Sequence, residues 1–317
     1  MQEVRSSRAA RFRRAVVLCC DDNYLPYALL ALAQLDRLCP ARGFDLCLVS
    51  TAELKLPVSL DLDLRQIVLD PAERLSGMNM DDRRKVSAYL RLLLPGVLAG
   101  DYDRILYLDS DIWVKGGDFD GLLATDLHGH PVGCVRDNQQ WRTPGRKVQE
   151  FRDFNLPHAP YFNSGVILFD VTSWIAQGIE TKALAFGARN GARLLRHDQT
   201  LLNCVLHRNW AELSPVWNWQ YTWSTRLLEP MADANILHFI GSRKPWNSTR
   251  GEYPPQLRRN YAAFVATHFP DRPAIPPESV NPATNGAFLR KMLFKHLLSN
   301  RAMMRYLSRF PDELTVC

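Results

Sequence analysis

Between Ala15 and Ile240, short apolar β-forming runs alternate with stretches whose apolar residues recur at helical spacing. That alternation restricts the chain to a sheet flanked by helices. Ala15–Cys20, Phe44–Val49, Leu64–Val68, Arg104–Leu108, Pro131–Val135, Gly165–Phe169 and Ile236–Ile240 read as strands. Pro26–Leu38, Lys85–Leu94 and Gln199–His207 read as helices, the second stopping at Pro95-Gly96. The order predicts an α/β fold with a mostly parallel central sheet, in which ligands bind beyond the carboxyl ends of the strands. Acids gather at those ends: Asp21 and Asp22 after the first strand, Asp109 and Asp111 after the fourth.

Composition narrows the function classes. The chain has 317 residues, 46% of them apolar, which is enough for one main domain. That domain is expected over 15–250. A basic segment 1–14 precedes it, and a proline-rich connector 251–287 and a basic tail 288–317 follow. No apolar run approaches the roughly 20 residues that span a bilayer. The run after the first arginines is too short for a signal peptide, so a cytoplasmic location is expected. Seven cysteines without a CxxC pair read as free, buried thiols rather than disulfides. The net charge of +6 is concentrated at the two ends and the body is mildly acidic, which points to an anionic partner.

The sharpest local signal is Ile105-Leu106-Tyr107-Leu108-Asp109-Ser110-Asp111. Positions i and i+2 of an extended chain face the same way, so Asp109 and Asp111 can present oxygens to one hard cation, Mn²⁺ or Mg²⁺. Taken alone, the same pattern is also an ordinary strand-end turn. It also opens haloacid-dehalogenase-type phosphatases, but those want Thr or Val where Trp113 stands.

A second signal is His238 to Trp246. His238 can complete a metal shell, Gly241 permits close backbone approach, and Lys244 supplies a point charge to phosphate. A satisfied histidine and a solvated lysine are the bland alternative.

Taken together, the motifs resemble family 8 of the glycosyltransferases. The matching segments, in the family's order, are Cys20–Tyr24, Ser87–Leu92, the Asp109-Ser110-Asp111 strand end, Tyr161–Val166, His197–Asn203 and His238–Trp246, spanning roughly residues 15–247. The resemblance implies a Rossmann-like, single-domain nucleotide-diphospho-sugar transferase of the GT-A type, retaining, and dependent on Mn²⁺ (or Mg²⁺). Its donor would be UDP-galactose or UDP-glucose. Its acceptor would be a saccharide or glycolipid such as lipopolysaccharide.

Carried over, the pattern gives Asp21, Asn23 and Tyr24 the uridine, with Cys20 and Ser110 also at the donor. Asp109, Asp111 and His238 would hold the metal, and Gly241 and Lys244 the diphosphate. Arg91, Asp137, Asn163, Asp198 and Gln199 would surround the hexose, with Asp198 and Gln199 as the catalytic candidates. Read singly, Arg91 is also a snorkelling helix residue, Asn163 a turn residue, and Asp198 a helix N-cap. Trp217, Trp219 and Trp223 read as core packing or as a stacking surface for an acceptor sugar.

Residues 288–310 interleave Arg290, Lys291, Lys295, Arg301, Arg305 and Arg309 with apolar residues at three- and four-residue intervals. Such a helix fits docking on an anionic membrane face, peripheral on the cytoplasmic side of the inner membrane. It equally fits packing against the catalytic domain. Nucleic acid is not expected, because no recognised motif accompanies the charge. The alternative to an enzyme is a membrane-docked sugar-nucleotide-binding protein without catalysis.

Overall fold

The computed structural model describes residues 4–78, 86–222, 225–277 and 285–317. Lys85, Trp223 and Pro282 lie outside them. The strands are β1 (Val4–Ser6), β2 (Arg14–Cys19), β3 (Asp45–Ser50), β4 (Leu64–Leu69), β5 (Arg104–Leu108), β6 (Ile112–Val114), β7 (Val132–Arg136), β8 (Phe162–Asp170), β9 (Ala211–Glu212), β10 (Trp219–Gln220) and β11 (Ile236–His238).

The large sheet has the order β1-β4-β3-β2-β5-β8-β7-β9. Its pairs β2–β3, β2–β5, β3–β4 and β7–β9 are parallel, and β1–β4, β5–β8 and β7–β8 are antiparallel. A small sheet, β10-β11-β6, stands beside it.

The inner strands read as continuous apolar runs because helices cover both faces. Along β2, Val16 and Leu18 enter one core cluster, and Ala15, Val17 and Cys19 enter the other. Helices Leu25–Leu38 and Pro255–His268 close the first face. Helices Val86–Val97, Ile179–Asn190 and His197–Val205 close the second. Each fully buried Leu or Val contributes roughly 1.5–3 kcal/mol of transfer free energy.

Helix Val86–Val97 runs through Pro95 instead of stopping there. Leu92, Leu93, Leu94 and Leu98 are buried on the second face, and that burial outweighs the one backbone bond proline removes. The proline-rich segment after Trp246 holds the helix Pro255–His268, whose Pro255 sits at the first turn, where proline's missing N–H costs nothing.

The N-terminal arginines are not an open cationic patch. Arg8 pairs with the buried Asp45 at 2.8 Å, and Arg11 and Arg13 pair with Asp63 and Asp103. At the other terminus, Cys317 and Glu212 exchange backbone hydrogen bonds of 3.0 Å, extending the sheet edge at β9. All seven cysteines are free; five are buried, Cys39 is half-buried and Cys317 is exposed, so the expectation of buried thiols fails at those two. Among the described residues, no helix is long and apolar enough to cross a membrane.

Helix Gly286–Leu307 divides its apolar residues between two destinations. Phe288, Met292, His296, Met303 and Tyr306 are buried against the domain. Leu293, Phe294, Leu297 and Leu298 remain 58–77% exposed.

Candidate active site

The site forms where β5 leaves the large sheet and re-emerges as β6 in the small one. Asp109, Ser110 and Asp111 make that crossing. The antiparallel register of β6 and β11 sets His238 opposite Ile112, and the Phe239 N–H bonds Asp111 O at 3.0 Å. Thus Asp109, Asp111 and His238 offer ligand atoms all within 4.8 Å of one another. His238 Nε2 lies 3.3 Å from Asp111 Oδ1 and 3.7 Å from Asp109 Oδ2.

This cluster passes a chemical test for a divalent cation. Asp111 Oδ1 is buried and accepts no hydrogen bond. His238 Nδ1 is engaged by Asn218 Oδ1 at 2.9 Å, which places a hydrogen on Nδ1 and, in the neutral ring, a lone pair on Nε2. In that neutral form the Nε2 lone pair faces the Asp111 Oδ1 lone pairs, an arrangement that a cation relieves.

Lys244 Nζ donates to Asp111 Oδ2 and to the Phe239 carbonyl. Burial disfavours charge on the Asp111 carboxyl, yet the Lys244 ammonium beside it holds it well below the usual carboxylate range. Gly241 adopts φ +86°, with open space where a Cβ would point.

Arg91 is buried and bridges the two acidic positions. Its Nη2 lies 2.9 Å from Asp109 Oδ1, its Nη1 3.4 Å from Asp198 Oδ2, and Nη1 also donates to Ser164 O at 2.6 Å. The snorkelling alternative therefore does not hold. Tyr107 OH donates to Asp109 Oδ1 at 2.6 Å, and the Arg91 guanidinium packs over its ring.

Asp198 does not cap its helix. It accepts from Ser164 Oγ at 3.0 Å, and the preceding His197 takes the left-handed φ of +48°. Burial pushes the Asp198 carboxyl up, against the pull of Arg91.

Strand β8 shifts register against β7 between Cys134 and Val135, which leaves Ser164, Gly165 and Val166 unpaired with β7. That irregularity turns Asn163 and Ser164 to Gln199, whose Oε1 accepts from Asn163 Nδ2 at 3.1 Å and from the Ser164 N–H at 3.3 Å. Gln199 Nε2 donates to Asp137 Oδ2 at 3.3 Å.

The remaining predicted residues sit at the end of β2. Asp21 Oδ1 accepts the Tyr24 N–H at 3.1 Å, while Asp22 pairs with Arg272 at 2.8 Å and Asn23 is exposed. Tyr24 meets Tyr27 and Trp246 edge-on, and its phenol is pushed up to about 12 by burial, with Asp111 and Asp21 adding to the shift. Cys20 is buried, and burial pushes its thiol up to about 12. Ser110 Oγ turns to the Cys19 carbonyl at 3.3 Å, joining the ends of β5 and β2 rather than facing the cluster.

Sequence reasoning did not single out Tyr107, Ser164, Gly165 or Asn218 as site residues. Gly165 lay within a matched motif. Asn218 lies between Trp217 and Trp219, both fully buried as core residues, and carries no local signal.

The comparisons with known proteins agree with this geometry. Residues 15–250 match the sequence family described as glycosyl transferase family 8. The chain is 30% identical over 206 residues to general stress protein A of Bacillus subtilis, covering 60% of this chain and 69% of that protein. It is 26% identical over 197 residues to the lipopolysaccharide 1,3-galactosyltransferase of Salmonella typhimurium, covering 59% and 57%. With the lipopolysaccharide 1,2-glucosyltransferase of Escherichia coli the figures are 29% over 168 residues, covering 50% and 48%. The chain thus spans only about half the length of those two enzymes.

The crystal structure of the galactosyltransferase LgtC, in complex with donor and acceptor sugar analogs, superposes with a TM-score of 0.64 at 20% identity. The match covers 83% of this chain and 97% of LgtC. The mixed α/β sheet and its flanking helices define the GT-A type of glycosyltransferase fold. The chain belongs to glycosyl transferase family 8.

Proposed function

We propose that the protein transfers a hexose, galactose or glucose, from a UDP-sugar to a saccharide acceptor with retention at the anomeric carbon. The observation that carries this reading is the convergence of ligand atoms of Asp109, Asp111 and His238 within 4.8 Å of one another. Asp109, Asp111 and His238 would hold Mn²⁺ or Mg²⁺. When bound, the cation would neutralise charge on the diphosphate leaving group.

The chain's own residues supply the rest. Lys244 adds a cation beside Asp111, where the developing phosphate charge would collect, and Gly241 allows the backbone to approach it. Asp21, Asn23 and Tyr24 would hold the uridine, with Cys20 and Ser110 also at the donor. Arg91, Asp137, Asn163, Asp198 and Gln199 would line the hexose.

Asp198 is salt-bridged to Arg91, and Gln199 is a neutral amide hydrogen-bonded on both sides. Neither is a free carboxylate nucleophile, which supports departure and attack on the same face of the sugar. Gln199 would then stabilise positive charge at the anomeric carbon.

The acceptor is proposed to be lipopolysaccharide or another cell-surface glycan. Exposed Leu293, Phe294, Leu297 and Leu298 beside exposed Arg290, Lys295 and Arg301 would rest on an anionic membrane surface where a glycolipid is presented.

The test is UDP release from UDP-galactose, UDP-glucose and UDP-N-acetylhexosamines, with Mn²⁺ or with a chelator. Turnover of one UDP-hexose is expected, dependent on metal and abolished by Asp111→Ala. Turnover that survives both would overturn the reading. Binding of UDP and Mn²⁺ without turnover of any donor would favour the non-catalytic alternative.

A further inference from the structure

Asn218 closes the turn Pro215–Asn218 that leads into β10, is completely buried, and touches two site residues at once. Its Oδ1 lies 2.9 Å from His238 Nδ1, and its Nδ2 donates to Asn163 Oδ1 at 2.9 Å.

The direction of this amide is not a free choice. The Gly165 N–H points at Asn163 Oδ1 at 3.0 Å, and a backbone N–H can only donate. That atom of Asn163 must therefore be the oxygen, and its NH₂ must face Gln199. The Ser164 N–H independently demands an oxygen at Gln199, 3.3 Å away. With Asn163 Oδ1 accepting, Asn218 has to present its NH₂ to Asn163 and its oxygen to His238. His238 must then carry its hydrogen on Nδ1. Two backbone N–H groups thus set the polarity of a row of side chains that runs from Gln199 through Asn163 and Asn218 to His238.

We infer that Asn218 is a positioning residue: it locks His238 in the Nδ1–H tautomer, so that Nε2 stands ready as a ligand, and through Asn163 it ties that ligand to Gln199. The inference rests on the proposed metal site for its consequence but not for its geometry. Partners one step removed from a metal act by fixing ligand tautomer and orientation, and losing one typically weakens metal binding about 10–100-fold.

The experiment uses the full chain with ¹⁵N-labelled histidine and Mn²⁺ as the probe. In the metal-free wild type, at a pH where the ring is neutral, His238 is expected to show a protonated Nδ1 and an unprotonated Nε2. Asn218→Leu, which keeps the branched shape and removes the acceptor, is expected to move the hydrogen to Nε2. It should also weaken Mn²⁺ binding about 10–100-fold, read from the free-ion paramagnetic resonance signal with UDP present. Asn218→Asp, which keeps an acceptor oxygen toward His238 but loses the NH₂ toward Asn163, is expected to keep the hydrogen on Nδ1 while only part of the affinity returns. Asn218→Ala, which also removes the acceptor, takes the place of the leucine variant if that does not fold.

A wild-type Nε2–H tautomer overturns the inference, as does an Asn218→Leu protein that keeps both tautomer and affinity. A wild-type Nδ1–H ring with no Mn²⁺ affinity in any protein would sink the metal reading while leaving the assignment of Asn218 in place.

Discussion

Gly165 and His238 are packed so closely that no side chain fits between them: a Cβ at position 165 would lie 2.1 Å from His238 Cε1 and 2.7 Å from Nδ1. The same atom would stand 2.9 Å from Asp109 Oδ2. Gly165→Ala must therefore push the imidazole away from the two carboxylates. Overpacking of this kind costs about 1–3 kcal/mol. We expect a folded protein whose metal-dependent turnover falls by about 5- to 150-fold, since about 1.4 kcal/mol is tenfold. An alanine variant with wild-type Mn²⁺ titration would contradict the geometry.

Among the described residues, Arg91 is the cation that bridges Asp109 and Asp198, and lysine cannot reproduce its fork. Arg91→Met leaves the buried Asp198 and the half-buried Asp109 without that cation, and removing one partner of a buried ion pair costs about 3–5 kcal/mol. A much lower melting temperature is expected for methionine, and an intermediate one for lysine. Equal stability of all three proteins would show that the bridge is not made.

Asp45 fastens the N-terminal arginines to the sheet. Burial works against its charge, but the Arg11 and Phe12 N–H groups and the Arg8 guanidinium hold its carboxyl below the usual range. A folded pKa below the unfolded value of about 3.9 stabilises the protein above that pH. That contribution is lost as pH falls through the folded value. Asp45→Asn is expected to cost about 1–3 kcal/mol at neutral pH. It should also flatten the fall in melting temperature on acidification. An acid limb identical to the wild type's would refute this.

Leu297 and Leu298 are 77% and 71% exposed. Replacing both with Glu is expected to change stability by less than about 0.5 kcal/mol per site. It should abolish sedimentation with vesicles of anionic phospholipid. Unchanged sedimentation would remove this face from the proposed membrane contact.

How much of this could be read beforehand follows from how far apart the interacting residues lie in sequence. Strands β2, β3 and β5 stand out because each is largely apolar on both faces. The acids at their ends stand out because charge follows abruptly on that burial. Helix Gly286–Leu307 is amphipathic in sequence, but only packing tells that Phe288 and Met292 turn inward while Phe294 and Leu297 do not. Tyr107 looks like one more apolar strand residue, and only the placement of Arg91 beside it gives its hydroxyl a purpose. Asn218 acquires its neighbours from the pairing of β10 with β11 and the irregularity in β8, both long-range events with no local signature. Pro95 misleads for the complementary reason, because a strong local preference yields to burial of the leucines around it.

The small sheet makes Asp111 and His238 neighbours through main-chain pairing, although more than a hundred residues separate them. A slip of one residue in β6 against β11 would send the imidazole to the opposite side. Between them, β7, β8 and β9 and the helices that follow β8 are held by the large sheet and its core. Only the loops that join those elements can lengthen, shorten or change composition over generations while Asp111 and His238 stay in register. A scaffold of this kind lets a lineage retool which sugar it accepts without relearning how to hold the leaving group.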